Sequence, residues 1–180
     1  MVVLISAVGV SGSGKTTTIE FLISNLVKEG HNIGAVKHIH RENFTIDKEG
    51  TNTWRFSKAG SRITVAVSPE EIAIIEKTKA SLNELDRIIQ YLKDQGVDVI
   101  FIEGFHEKIS KRPDIFKIIT GKTEEDLERT IKNASAPILA ITGIIAKSGS
   151  RFHEVPYIDL PNQGEQLLKI VRKCLATSQN

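Results

Sequence analysis

The chain reads as an α/β protein: a three-layer sandwich of the P-loop NTPase class, its mostly parallel sheet carrying one antiparallel hairpin. Three observations carry this. Gly9-Val10-Ser11-Gly12-Ser13-Gly14-Lys15-Thr16 matches G-x-x-x-x-G-K-[ST]. The apolar run Val2-Val3-Leu4-Ile5-Ser6-Ala7-Val8 precedes it, and Ile19, Leu22, Ile23 and Leu26 follow at helical spacing. Beyond that point, strand-like and helix-like segments alternate to the end of the chain, as a sheet with helices on both faces requires.

The elements follow in order. The first strand runs into the loop and the first helix, which Glu29-Gly30 stops. Asn32 to Lys37 is the second strand, and residues 38 to 61 are polar with a short helix around Thr53 to Ala59. Arg62 to Val67 and Glu71 to Lys77 are β-like and joined through Ser68-Pro69, which predicts a hairpin and makes part of the sheet antiparallel. Ser81-Leu82-Asn83-Glu84 fits a capping box ahead of the stripe Leu85, Ile88, Ile89 and Leu92. Val97 to Ile102 is an apolar strand broken only by Asp98, and Ile115 to Ile119 is another. A capped helix opens at Thr123, with Asp126 at the box position, and runs to about Lys132. Pro137 to Thr142 is the last central strand, with Val155 to Ile158 and a terminal helix beyond it.

Composition narrows the function classes. The chain has 180 residues, 40% hydrophobic and 26% charged, which suits one soluble nucleotide-binding domain over 1–180. A net charge of +2 gives no electrostatic case for a nucleic-acid partner. No apolar run approaches the roughly 20 residues of a membrane span. The opening MVVLIS reads as core strand rather than signal peptide. The single cysteine, Cys174, cannot form an internal disulfide, so a cytoplasmic setting is expected.

The chemistry of the loop is specific. Its glycines let successive N–H groups turn inward to form an anion nest, and the following helix adds its positive dipole end. Lys15 is placed to reach the β- and γ-phosphates, and the Thr16 hydroxyl to ligate Mg²⁺. The ligand expected is a nucleoside triphosphate with Mg²⁺. Such a loop needs a second acid at the end of a neighbouring strand, and Glu103, followed by Gly104, fits at the carboxyl edge. Asp98 opens the same strand and belongs at the opposite edge. Asp47, in the polar segment after the second strand, is the other candidate for the Mg²⁺ shell or an attacking water, with a plain loop role as the competing account.

His38 and His40 share one face of an extended chain, which suits phosphate or substrate contacts better than metal, because two ligands are too few. Lys108, Lys111 and Arg112 form a basic loop after Glu103, suited either to solvent or to an anionic second substrate or partner. No N-K-x-D signature is present, and the loop Ala146-Lys147-Ser148 does not identify a base. From the residues alone the base stays open.

Several segments together resemble the MobB family of molybdopterin-guanine dinucleotide biosynthesis adapter proteins. They are GVSGSGKTT at 9–17, VKHIH at 36–40, IDKEGTNTWR at 46–55, Lys58-Ala59-Gly60 and FIEGF at 101–105. The resemblance implies GTP as the nucleotide, Mg²⁺, hydrolysis that is at most slow, and a homodimer. It also implies cooperation with the molybdenum cofactor guanylyltransferase that joins GMP to molybdopterin. Carried over, Gly9 to Thr17, Thr17 included, would cradle the triphosphate, Glu103 would be the second acid, and His38, His40 and Asp47 would fall in the family's signature loop. The chain departs from the pattern at Arg41, where members often continue the histidine run. It departs again at Thr51-Asn52-Thr53, where they usually carry Lys-Asp-Ser or Lys-Asp-Thr, and the lost acid argues against efficient hydrolysis. The alternatives are a small-molecule kinase, which would want an arginine-rich lid, and a nucleotide-dependent metal chaperone, which would want more His or Cys beside the pair.

Overall fold

The computed structural model describes residues 1–78, 84–147 and 153–177. Its order is β1 (Val3–Gly9), α1 (Lys15–Lys28), β2 (Ile33–Lys37), α2 (Asn52–Lys58), β3 (Ile63–Val67), β4 (Ile72–Glu76), α3 (Glu84–Asp94) and β5 (Val99–Glu103). Then follow α4 (His106–Ile109), β6 (Phe116–Gly121), α5 (Glu124–Lys132), β7 (Ile138–Gly143), a 3-10 turn (Ile144–Lys147) and α6 (Leu160–Thr177). The chain divides into two compact units, Met1–His38 with Ile88–Asn180, and Ile39–Arg87.

The first unit is built on a five-stranded sheet, β2-β5-β1-β6-β7, with every neighbouring pair parallel. Parallel strands are covered on both faces, so β1 and β5 read as unbroken apolar runs rather than alternating ones. Alternation shows instead in which cover each residue meets. Val3, Ile5 and Ala7 of β1, with Val99 and Phe101 of β5, pack with Leu22 and Leu26 of α1 and Leu167 and Val171 of α6. On the other face, Leu92 of α3 lies against Gly34 and Leu127 of α5 against Gly121. The sequence reads the two central strands and both flanking layers correctly.

Strand order places the site. The connection out of β1 leads to β2 on one side and that out of β5 to β6 on the other, so the strand order reverses at β1, and ligands of open α/β sheets bind in the crevice at the carboxyl end of such a point. Residues 10–14, between β1 and α1, occupy that end.

The second unit contains α2 and the antiparallel pair β3-β4, with Val65 opposite Ile74 and Val67 opposite Ile72. The hairpin is a separate two-stranded sheet and not, as the sequence suggests, an antiparallel part of the main one. Local patterning identifies a hairpin but holds no information on which distant strand, if any, its edge joins. Its turn is closed by the Ser68 N–H donating to the Glu71 carbonyl at 2.8 Å, so it spans four residues. In the segment Val155 to Ile158, Tyr157 forms an isolated parallel bridge with Ile141. The capping box at Ser81 lies outside the described residues. At α5 the Thr123 hydroxyl does accept from the Asp126 N–H, at 3.2 Å, while the Asp126 carboxylate pairs with Arg129.

Candidate functional site

The loop at 9–16 is braced from behind. Ser13 is fully buried; its hydroxyl donates to the Val10 carbonyl at 2.8 Å and lies 2.6 Å from the Thr120 hydroxyl of β6. This serine therefore pins the loop to the sheet. Gly9 has no alternative, since a Cβ there would meet the Thr120 carbonyl oxygen at 2.1 Å. Gly14 opens α1 in the left-handed region, with no side-chain cap and no acid in the first turn, so the first N–H groups of a 14-residue helix face the crevice unneutralised. Ser11, Gly12, Thr16 and Thr17 lie exposed along this mouth.

Lys15 is held across the loop. Its ammonium donates to the Gly9 and Val10 carbonyls at 3.0 and 2.7 Å. Burial pushes its pKa down; Glu103 opposes that shift, while Lys37 and Lys122 add to it. Lys15 thus stands within the field of two further lysines and one carboxylate, an excess of positive charge that favours a polyanion. Lys122 is a residue that sequence reasoning missed. It follows β6, and its Nζ lies 3.4 Å from where a Cβ would stand on Gly12.

Glu103 is where the sequence reading puts it, at the carboxyl end of β5, and it is the acid facing Thr16. Its Oε2 accepts from the Thr16 hydroxyl at 2.9 Å, and its Oε1 forms an ion pair with the Lys37 ammonium. Burial alone would raise its pKa, but the bonds from Lys37 and Thr16, with both lysine charges, outweigh that and hold the carboxyl below its ordinary range. Asp98 is at the other end of the sheet, accepting from the Asn32 N–H at 2.8 Å. A hydroxyl and a carboxylate in hydrogen-bond contact at a phosphate loop suit Mg²⁺, a hard cation that takes few protein oxygens and keeps water and phosphate for the rest. Among the described residues, no group of three or more His, Cys, Asp or Glu could hold a metal by itself.

The segment after Glu103 is shaped by Gly104 and Phe105, both at positive φ, 99° and 54°. At Gly104 a Cβ would stand 2.5 Å from that of His38, so only glycine lets the two chains pass. The His38 N–H donates to the Glu103 carbonyl at 2.8 Å, and its ring stacks on Phe105 at 4.2 Å. His38 thus braces the strand that carries Glu103.

Other candidates are placed differently. His40 and Asp47 belong to the second unit. Asp47 Oδ1 accepts from the Thr51 and Thr53 hydroxyls at 3.0 and 2.9 Å, and Thr51 in turn caps α2. Lys108 falls in α4, which the sequence reading leaves as loop, with its Nζ 5.5 Å from the Phe105 ring. Lys111 is exposed. Arg112 is drawn from the loop edge: its guanidinium pairs with Asp114, and its carbonyl accepts from the buried Lys117 near the start of β6. A groove of about 460 Å³ lies between Gly9, Val10 and Ser11 and the residues His106, Ser110, Arg129, Thr130 and Asn133. Several of its donors bind local backbone: Ser110 to His106, Thr130 to Asp126 and Asn133 to Arg129.

Comparison with known proteins agrees with this architecture. Residues 4–141 match the family model described as MobB, Molybdopterin guanine dinucleotide synthesis protein B. A molybdopterin-guanine dinucleotide biosynthesis adapter protein of Haemophilus influenzae is 35% identical over 105 residues, 58% of this chain and 58% of that protein. Its Escherichia coli namesake is 34% identical over 116 residues, 62% of this chain and 64% of that one. The matched region therefore spans less than two thirds of these relatives' length. The crystal structure of Bacillus subtilis MobB superposes with a TM-score of 0.69 at 25% identity, covering 93% of this chain and 96% of that one. The chain belongs to the MobB family.

Proposed function

We propose that the chain binds Mg²⁺·GTP at residues 9–17 and serves as an adapter in molybdopterin-guanine dinucleotide biosynthesis, working beside the guanylyltransferase that uses molybdopterin. The observation that carries this reading is the convergence of Lys15, Thr16 and Glu103 at the carboxyl end of β1. Lys15 would hold the β- and γ-phosphates, the backbone N–H groups of the loop would line the rest, and Thr16 with Glu103 would hold the cation. Mg²⁺ bound there neutralises phosphate charge. GTP as the base choice rests on the family.

Turnover is expected to be slow. Glu103 is held below the ordinary carboxylate range and is committed to Thr16 and the cation, so it is a poor proton acceptor for an attacking water. Asp47 is engaged with the two threonines at the start of α2. A kinase reading would want an arginine-rich lid, and the guanidinium of Arg112 is engaged with Asp114.

The family also suggests a homodimer, and the hairpin offers a surface for one. Ile63, Val65, Val67, Ile72 and Ile74 lie on one face of a two-stranded sheet and are all exposed. A two-stranded sheet with an uncovered apolar face is marginal alone, and a second copy supplies an identical apolar face by two-fold symmetry. A cytoplasmic location goes with the proposed role.

The test is calorimetry of Lys15→Ala. Loss of the fixed cation should abolish measurable GTP binding while leaving the far-ultraviolet spectrum unchanged. Wild-type affinity in that variant would remove the loop from the account.

A further inference from the structure

Lys37 ends β2 and is paired in register with Glu103 at the end of β5, which is in turn paired with Ala7 of β1. Residues paired across parallel strands project to the same face, so the ammonium and the carboxylate meet at the carboxyl edge beside the loop. The two partners differ in environment. Glu103 is about 10% exposed and Lys37 about 56%, so the carboxylate is fixed while the lysine stem is free to swing. With one Glu103 oxygen on Thr16 and the other on Lys37, the groups expected to hold Mg²⁺ are joined to each other and to a cation of this chain. Lys37 also lies near enough to Lys15 to lower its pKa, which puts a second ammonium within the field of the phosphate site.

We propose that Lys37 senses the third phosphate: it stands in for Mg²⁺ on Glu103 in the empty protein and moves to a terminal phosphate oxygen when Mg²⁺·triphosphate binds. This deepens the proposed function and rests on it. The exchange is electrostatically balanced. Mg²⁺ takes over the carboxylate, and the displaced ammonium finds its new anion at the γ-position, which a diphosphate lacks. Without Mg²⁺ the lysine has no reason to leave Glu103, so it adds little to binding of the bare nucleotide. Lys37 therefore discriminates triphosphate from diphosphate only when the metal is present. It is also the last residue of its strand, and His38 next to it is bonded to the Glu103 carbonyl, so the exchange acts at the point where the chain leaves the sheet.

The experiment is calorimetry of the full chain and of Lys37→Met with GTP and GDP, each in Mg²⁺ and in chelator. The expected result is a loss of about ten- to a hundredfold in Mg²⁺·GTP affinity for the variant, the size of one charge-assisted hydrogen bond. GDP affinity should be at least that of wild type, and GTP affinity in chelator should match it, which also shows that the variant is folded. An equal loss for GTP and GDP, or a loss that persists in chelator, would make Lys37 a general electrostatic or structural contact and overturn the proposal. An unchanged Mg²⁺·GTP affinity overturns it as well. If the wild type binds neither nucleotide, the proposed function fails and takes this inference with it; any failure confined to the variant leaves that function standing.

Discussion

The two compact units use the same residue types to opposite ends. In the first, Ile100, Phe101 and Ile102 of β5 are sealed between helical layers. In the second, Val67 and Ile72 face each other across the hairpin at 74% and 67% exposure. β-Branched residues form strands in both places, but burial stabilises only where something covers the face, at about 1.5–3 kcal/mol per large apolar side chain. The first unit therefore covers its own apolar strands, whereas the second leaves an apolar face exposed, which the proposed dimer would cover.

The sharpest way to break this comparison is to truncate a side chain in each unit. Phe101→Ala should cost about 3–5 kcal/mol in denaturant unfolding, because it empties a site packed by α1 and α6. Val67→Thr, exposed on the hairpin, should cost no more than about 0.5 kcal/mol under conditions where the protein is monomeric. Similar losses at both positions would mean that the hairpin face is covered within one chain.

A smaller effect, confined to assembly, is expected from Ile72→Glu. A charge in the middle of the apolar face should shift sedimentation from dimer to monomer and leave GTP affinity unchanged. A dimer that survives this change uses another surface.

The smallest effect concerns pH and belongs to the first unit. Burial works against the charge on Glu103, but Lys37 and Thr16 outweigh it and depress its pKa in the folded protein. A depressed carboxyl contributes stability that is complete above its unfolded value and is lost as pH falls through the lower folded one. The difference in thermal midpoint between wild type and Glu103→Gln should thus be present at neutral pH and vanish in acid below the usual carboxylate range. A difference that instead grows on acidification would contradict the assigned shift.

What could be read from the sequence followed from local pattern. The loop at 9–16 announces itself through residue types at fixed spacing, and Glu103 through its place at the end of an apolar strand before a glycine. Asp98 was separable from it because position along a strand decides which edge of the sheet an acid occupies. Lys37 could not be found this way: its role depends on register with a strand more than sixty residues later, and nothing near it in sequence signals that pairing. Lys122 was hidden for the same reason, being brought over Gly12 by the neighbouring strand β6. Lys108, Lys111 and Arg112 read in sequence as one basic loop, and local pattern did not show that Lys108 lies in a turn of helix or that Asp114 pairs with Arg112. Asp47 looked like a free acid in a polar loop, and the threonines that engage it lie four and six residues on.

The central claim is that the first unit binds a nucleoside triphosphate as a held ligand rather than as a fast-turning substrate. The most direct measurement is a calorimetric titration of the wild-type chain with GTP and with ATP, with Mg²⁺ and without, alongside phosphate release from the same samples. Selective, Mg²⁺-strengthened GTP binding with release far slower than dissociation is the predicted result. Preference for ATP, or phosphate release that outpaces dissociation, would contradict the account.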